Sequence, residues 1–410
     1  MPIRRLAVLS VHSSPLAQPG SGDGGGMSVY VRALASALAR AGVECDVLVR
    51  RDHPDQPEVV EIEPGFRVVH LNAGPAASVS KHGLMDLVEP MVDATLELVN
   101  RGIEYDALHA NYWLSGAVGH RLKHELDLPL VATFHTLARV KADAGIDDDP
   151  TLRARVEHEI VNCADLMLAS TEAERDQLEL LYGADVGRIE IVPPGVDHEI
   201  FHPVSTQRRA EERHSLGLGA APVLLFAGRI QPLKGADLAL QALAEIRDPE
   251  AQLLIVGGPS GPDGSFELDR LHELVEKCNL WGRVRFVPPQ THTELARYYR
   301  AVDVCLVPSH SESFGLVALE AAACGTPVVA AAVGGLRSLV EHGATGYLVD
   351  SRDPADFAAP IDRLLADPMA ARAMGVAAEA RSRRYAWSMT AARLRRLYAD
   401  LLVREPVSCR

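Results

Sequence analysis

The chain has 410 residues, more than the roughly 250–300 at which a single hydrophobic core stops growing, so two domains are expected. Apolar residues at 47% and charged residues at 23% describe an ordinary globular chain. With 41 Lys and Arg against 55 Asp and Glu, a formal net charge of −14 argues against a general nucleic-acid binder but leaves room for a local basic pocket.

The N-terminal stretch "MPIRRLAVLSVHSSPLAQPG" holds a short apolar run followed by a Pro- and Ser-rich loop, which reads as a first strand rather than a signal peptide. No apolar run approaches the ~20 residues of a membrane helix, so a cytoplasmic protein is expected. The six cysteines (Cys45, Cys163, Cys278, Cys305, Cys324 and Cys409) show no CxxC and no Cys/His metal spacing. Most sit in apolar runs and read as buried, reduced thiols, and no metal site is expected.

Short apolar runs then alternate with helical patterns. The first set of strands is "LAVLSV", "CDVLVR", "RVVHLN", "DALHAN", "LPLVATF", "DLMLAS" and "IEIVPP". The second is "PVLLFAG", "QLLIVGG", "RVRFVPP", "VDVCLVPS", "TPVVAAA" and "GYLVD". Continuous apolar strands separated by helices specify parallel sheets covered on both faces. The pattern occurs twice, which predicts an α/β protein of two doubly wound domains facing across a cleft. A Pro-, Gly- and charge-rich linker around 193–222 separates the sets. The expected divisions are 1–205, 206–385, and a terminal helix and tail over 386–410.

Ligands of open α/β sheets bind beyond the carboxyl ends of the strands. In the first domain those ends carry His12, "HANYWLSG" with Tyr112, and "TFHTLARVK" with His135 and Thr136. Gly20, Gly22 and Gly25 lie in a Gly-rich turn that leads into a helix through Gly26 and Ser28. Lys81 and Arg153, with the Tyr and Thr hydroxyls, are suited to an acceptor phosphate.

In the second domain, "FAGRIQPLKGAD" puts Arg229 and Lys234 just past a strand, where two cations can neutralise a diphosphate. "VPPQ", ending at Gln290, is placed to meet a nucleobase. In "PSHSESFGLVALEAAACG", Ser313, Phe314, Gly315 and Leu316 open a helix whose unpaired N–H groups suit a phosphate. Glu312 precedes that helix and Glu320 lies two turns into it. Two acids flanking an anion site suit the hydroxyls of a nucleotide sugar. The alternative makes Glu312 a helix-capping acid and Glu320 a solvated face residue.

"GRIQPLKG" followed by "PSHSESFGLVALEAAACGTPVVAAAVGG" closely resembles the retaining glycosyltransferases of family 4, which have the GT-B fold; Glu312 and Glu320 match that family's E-x7-E signature. The resemblance implies that Glu312 contacts the transferred sugar, that Glu320 holds the ribose, and that Arg229 and Lys234 hold the diphosphate. "LSVHSSPLAQPGSGDGGGM", "NYWLSG" and "PPQTHTELA" are similar to the branch that glycosylates inositol 3-phosphate in mycothiol biosynthesis. That likeness implies an acceptor phosphate on Lys81, Tyr112, Thr136 and Arg153. It also puts His12 and Gly26 in the substrate loop, Gln18 and Pro19 on uridine, and Gln290 at the base. Ser28, Ala142 and Phe134 depart from the branch's pattern near the acceptor, so aminocyclitol and sugar-phosphate acceptors stay open.

The implied reaction is a retaining transfer of N-acetylglucosamine from a UDP-sugar to a cyclitol hydroxyl, with His135, Arg229, Lys234 and Glu312 as the catalytic set. No cofactor is required, Mg²⁺ could accompany the nucleotide, and a homodimer is compatible. A hydrolase would need two carboxyl groups facing each other across the bond, and no second acid is so placed. A non-catalytic nucleotide-sugar binder could lose the sugar-positioning groups, which are all present here.

Overall fold

The computed structural model describes residues 3–20, 24–77, 79, 83–143, 151–261 and 264–409. The expected sites Gly22 and Lys81 lie outside them. The chain divides into two compact units. Unit 1 comprises Met1–Ala17, Gly26–Pro193 and Trp387–Arg410; unit 2 comprises Gln18–Gly25 and Pro194–Ala386. The first division therefore falls earlier than 205/206, and the terminal helix Trp387–Leu401 returns to unit 1.

Among the described residues, unit 1 has eight strands: β1 (Arg5–Leu9), β2 (Glu44–Arg50), β3 (Val59–Glu63), β4 (Phe66–Leu71), β5 (Ala107–Asn111), β6 (Leu130–Thr133), β7 (Leu166–Ala169) and β8 (Ile189–Ile191). They form one sheet in the order β3-β4-β2-β1-β5-β6-β7-β8. Every pairing is parallel except β3 with β4. The β3 strand is the one the sequence reading omits. "VVEIE" mixes apolar and acidic residues, has no buried residue, and pairs with β4 at the sheet's edge, so it lacks the continuous apolar signature of a buried strand.

Alternation along β1 shows why the sheet is covered twice. Ala7 and Leu9 enter one buried layer, with Leu114, Val118 and Ile160, while Leu6 and Val8 enter the other, with Tyr30, Leu34 and Leu38. The terminal helix joins that second layer through Ala391, Leu394, Tyr398 and Leu401. Each such Leu stabilises the unit by about 2–5 kcal/mol relative to Ala.

Unit 2 has six described strands: β9 (Val223–Ala227), β10 (Gln252–Val256), β11 (Val284–Val287), β12 (Val304–Val307), β13 (Val328–Ala331) and β14 (Gly346–Val349). Their order is β11-β10-β9-β12-β13-β14, all parallel. Along β9, Val223 and Leu225 face one apolar layer and Leu224 and Phe226 the other. Because the strands are parallel, the loops after β9, β10, β11 and β12 emerge at one edge of the sheet. Among the described residues no helix is long and apolar enough to cross a membrane.

The cysteine expectation needs correction. Cys45, Cys278, Cys305 and Cys324 are free, but the structure joins Cys163 to Cys409 across a sequence separation of 246. The partners are far apart in the chain, so spacing gave no sign of the pair.

Candidate active site

The edge loops of unit 2 are stitched together by their backbones. The Gly228 N–H donates to Val256 O at 2.9 Å, Ile230 to Gly258 at 2.8 Å, Gly257 to Val287 at 2.9 Å, and His310 to Leu233 at 2.9 Å. Gly257, at φ 154, has to be glycine, because a Cβ would run into the Gly228 carbonyl. The segment that starts at Gln18 and Pro19 joins these loops, since Gly258 N–H donates to Gly20 O at 2.9 Å and Gly20 packs on Pro289. Gln18 and Pro19 therefore share a neighbourhood with the Gln290 loop, where the Gln290 amide nitrogen donates to Pro288 O at 2.8 Å. Arg229 passes beneath Gly25: a Cβ there would lie 2.9 Å from the guanidinium carbon. Its Nη1 is 3.5 Å from Ser260 Oγ, and Gln231 donates to the same hydroxyl at 3.1 Å.

Lys234 and Glu312 meet. Lys234 Nζ donates to Glu312 Oε2 at 2.7 Å, and both side chains stay partly accessible, at 24% and 18%. Ser309 Oγ lies 3.4 Å from the same oxygen. Glu312 does not cap the helix: the Leu316–Ala323 helix is preceded by Gly315 at φ 104, with no side-chain cap. Two glycines hold the Glu312 loop. The Gly335 N–H donates to Glu312 O at 2.9 Å, and a Cβ on Gly334 would run into that same oxygen. Phe314 is buried edge-on to Tyr385, centroids 5.8 Å apart, which fixes the backbone between Ser313 and Leu316.

Glu320 is not a solvated face residue. It is buried, accepts a hydrogen bond from Tyr299 Oη at 2.9 Å, and has its pKa pushed up to about 7 by that burial.

In unit 1, β5 ends at Asn111 and the helix Tyr112–Leu126 begins with Tyr112 at φ 77, an unusual conformation for an aromatic residue. The Tyr112 ring lies against His12, centroids 4.4 Å apart, and under the Arg153 guanidinium at 4.8 Å. Arg153 Nη2 donates to Thr136 O at 2.6 Å and to Thr136 Oγ1 at 3.0 Å. His12, Tyr112, Thr136 and Arg153 are thus brought together. Ser28 is buried on the helix Gly26–Arg40, which begins at Gly26, and Arg155 is exposed.

The sequence reading missed the acid beneath Arg153. Arg153 Nε donates to Glu157 Oε1 at 2.7 Å, and Glu157 is fully buried, also accepting from Tyr182 Oη and, at 2.9 Å, from Ala138 N–H. The i, i+4 spacing of Arg153 and Glu157 on one helix was the available signal.

His135 follows β6 at φ 61, with Nε2 2.9 Å from Asn111 Oδ1 and the ring edge-on to Tyr30. With Asn111 Oδ1 accepting, Nε2 carries the proton. Burial, with His109 and His12 nearby, holds the His135 pKa down at about 3, so the ring is neutral near pH 7. Behind it, His109 joins Thr133 Oγ1 and Tyr398 Oη, each at 2.8 Å, and so ties the terminal helix to the sheet beside His135.

The fold and the charged strand-end loops define a two-domain α/β glycosyltransferase of the GT-B type. The chain belongs to this family: residues 208–381 match glycosyl transferases group 1, and residues 25–195 match the glycosyl transferase 4-like domain. It is 47% identical to the D-inositol 3-phosphate glycosyltransferase of Kineococcus radiotolerans, over 95% of this chain and 93% of that protein. It is 45% identical to the enzyme of the same name from Xylanimonas cellulosilytica, over 98% of each. Among solved structures, the sucrose-phosphate synthase of Thermosynechococcus elongatus matches with a TM-score of 0.90 at 36% identity, covering 97% of this chain and 99% of that one. The Anabaena protein HepE, solved with UDP and glucose, matches with a TM-score of 0.78 at 21% identity, over 97% of this chain and 100% of that one, a likeness of fold.

Proposed function

We propose that this glycosyltransferase moves N-acetylglucosamine from UDP-N-acetylglucosamine to a hydroxyl of 1D-myo-inositol 3-phosphate, with retention at the anomeric carbon. The observation that carries the reading is the convergence of Tyr112, Thr136 and Arg153, which offers hydroxyls and a guanidinium to one phosphate. The names of the two relatives support the same acceptor. Glu157 is paired with Arg153, and the Arg153 guanidinium contributes directed N–H donors to the clamp.

On the donor side, Arg229, Lys234 and the amides at Gly315 and Leu316 receive the diphosphate. An acid beside a phosphate site would repel the ligand, and the Lys234 ion pair offsets that repulsion at Glu312. Glu312 then orients a sugar hydroxyl, while Glu320 accepts from the ribose and Gln18, Pro19 and Gln290 hold the uracil. As the bond between C1 and the leaving oxygen breaks, its electron pair goes to the β-phosphate. The acceptor oxygen adds to C1 on the same face, and its proton passes to that phosphate oxygen. His135 stays neutral and acts as a hydrogen-bonding group.

A second reading, transfer to a sugar phosphate, is favoured by the 36% identity to a sucrose-phosphate synthase. Product mass and UDP release with UDP-N-acetylglucosamine separate the readings when inositol 3-phosphate, fructose 6-phosphate and 2-deoxystreptamine are compared. Turnover with inositol 3-phosphate alone is expected. Turnover only with one of the others moves the acceptor assignment.

A further inference from the structure

Away from the strand-end loops, the structure gathers four metal-ligating side chains in unit 1. His120 and His124 lie one turn apart towards the C-terminal end of the helix Tyr112–Leu126; Cys163 ends the helix Thr151–Cys163; Cys409 comes from the tail. Their four ligand atoms all lie within 4.8 Å of one another. His124 Nε2 is 3.4 Å from Cys163 Sγ and 3.2 Å from Cys409 Sγ, and His120 Nε2 is 3.9 Å from Cys409 Sγ.

A cystine alone would account for the two sulfurs. It would not account for two imidazoles turning their Nε2 atoms onto them. A tetrahedral zinc ion with Zn–S near 2.3 Å and Zn–N near 2.0–2.1 Å has S–N edges of about 3.5 Å, in the range seen here. We propose that His120, His124, Cys163 and Cys409 form a structural Zn²⁺ site of the Cys₂His₂ type. Both cysteines enter as thiols, each releases a proton on becoming a thiolate, and the ion stays Zn²⁺. Where the two are joined as in the structure, a dithiol reductant first delivers two electrons and two protons to the cystine and is itself oxidised to a disulfide; the freed sulfurs then take up the roughly 3.8 Å edge of the tetrahedron. Four protein ligands close the coordination shell, which marks the site as structural rather than catalytic.

The surroundings are built to deliver Cys409. Lys123 Nζ donates to Cys163 O and to both oxygens of Asp165, each at 2.8 Å. Asp165 Oδ1 in turn accepts from Val407 N–H at 2.6 Å. The tail is thereby pinned two residues before its ligand, next to the carbonyl of the other cysteine. Cys163 is buried and His124 exposed, so an ion reaches the thiolates from the His124 side. The ion would fasten the tail beyond the helix Trp387–Leu401, whose Tyr398 bonds to His109.

The test is metal analysis of the full chain, purified under reducing conditions, loaded with zinc and desalted against a weak chelator. About one zinc per chain is expected for a site of this ligand set. Cys409→Ser, a change in the tail that leaves the cores untouched, and His124→Ala should each lose it, while Cys278→Ser keeps it. Cobalt in place of zinc should give the thiolate charge-transfer absorption of a tetrahedral site. The proposal is overturned if the reduced wild-type chain retains no zinc, or if Cys409→Ser and His124→Ala retain as much as the wild type. It is equally overturned if peptide mapping finds Cys163 and Cys409 linked in chains kept under reductant.

Discussion

Lys234 Nζ and Glu312 Oε2 lie 2.7 Å apart, joining the loop after β9 to the loop after β12. This places an ammonium and a carboxylate at the carboxyl edge of one sheet, and the ion pair lets both serve one ligand that carries phosphates and hydroxyls. If Glu312 orients the sugar, Glu312→Gln lowers kcat by about 10²–10³ while UDP binds within a few-fold of wild type. Lys234→Ala should weaken UDP binding as well as turnover. Steady-state kinetics and calorimetric UDP titration check both.

Gly334→Ala tests the support of that loop. Its Cβ would displace the Glu312 carbonyl, so transfer should fall roughly as far as in Glu312→Gln with little loss of secondary structure. Activity and circular dichroism, measured on one preparation, decide it.

Glu320 gives a pH signature. Its folded pKa is raised from 4.5 to about 7, so the folded state holds a proton that the unfolded state has released. That contribution is fully present below about pH 4.5 and is lost as pH rises through 7. Relative to Glu320→Gln, wild-type unfolding free energy should decline across that window by about 3 kcal/mol at most. Denaturant melts at several pH values measure the difference.

His135 has the opposite sign. Its folded pKa is depressed from 6.5 to about 3, so below pH 6.5 the unfolded state takes up a proton that the folded state refuses, and stability falls towards pH 3. In the native protein, its ring resonances should show no titration between pH 5 and 8. An inflection near 6.5 in the NMR shift of that ring would contradict the neutral role.

Arg153 and Glu157 form a buried pair, so removing one partner exposes the other's cost. Arg153→Met should destabilise unit 1 by about 3–5 kcal/mol, and adding Glu157→Gln should restore much of that. The double variant should keep a raised KM for a phosphorylated acceptor, which separates phosphate binding from folding.

Much of this was legible in the sequence. The strands of both sheets announce themselves as continuous apolar runs because parallel strands are buried on both faces, and β3 escaped because an exposed edge strand has no such run. Arg229, Lys234, Glu312 and Glu320 were legible because strand-end loops and a helix start confine them to one edge. Less visible were relationships between distant segments. The Gly334–Gly335 cradle under Glu312, Tyr299 on Glu320, Asn111 on His135, and the Cys163–Cys409 pair with His120 and His124 all arise from chain crossings that no local pattern encodes.

The most direct measurement is kcat/KM with UDP-N-acetylglucosamine and inositol 3-phosphate against the same donor with unphosphorylated inositol, for wild type and Arg153→Met/Glu157→Gln. The account predicts a preference of about 10² or more for the phosphorylated acceptor in the wild type, largely lost in the double variant, as expected when charge-assisted contacts are removed. Equal use of both acceptors by the wild type, or a preference untouched by the double variant, would contradict it.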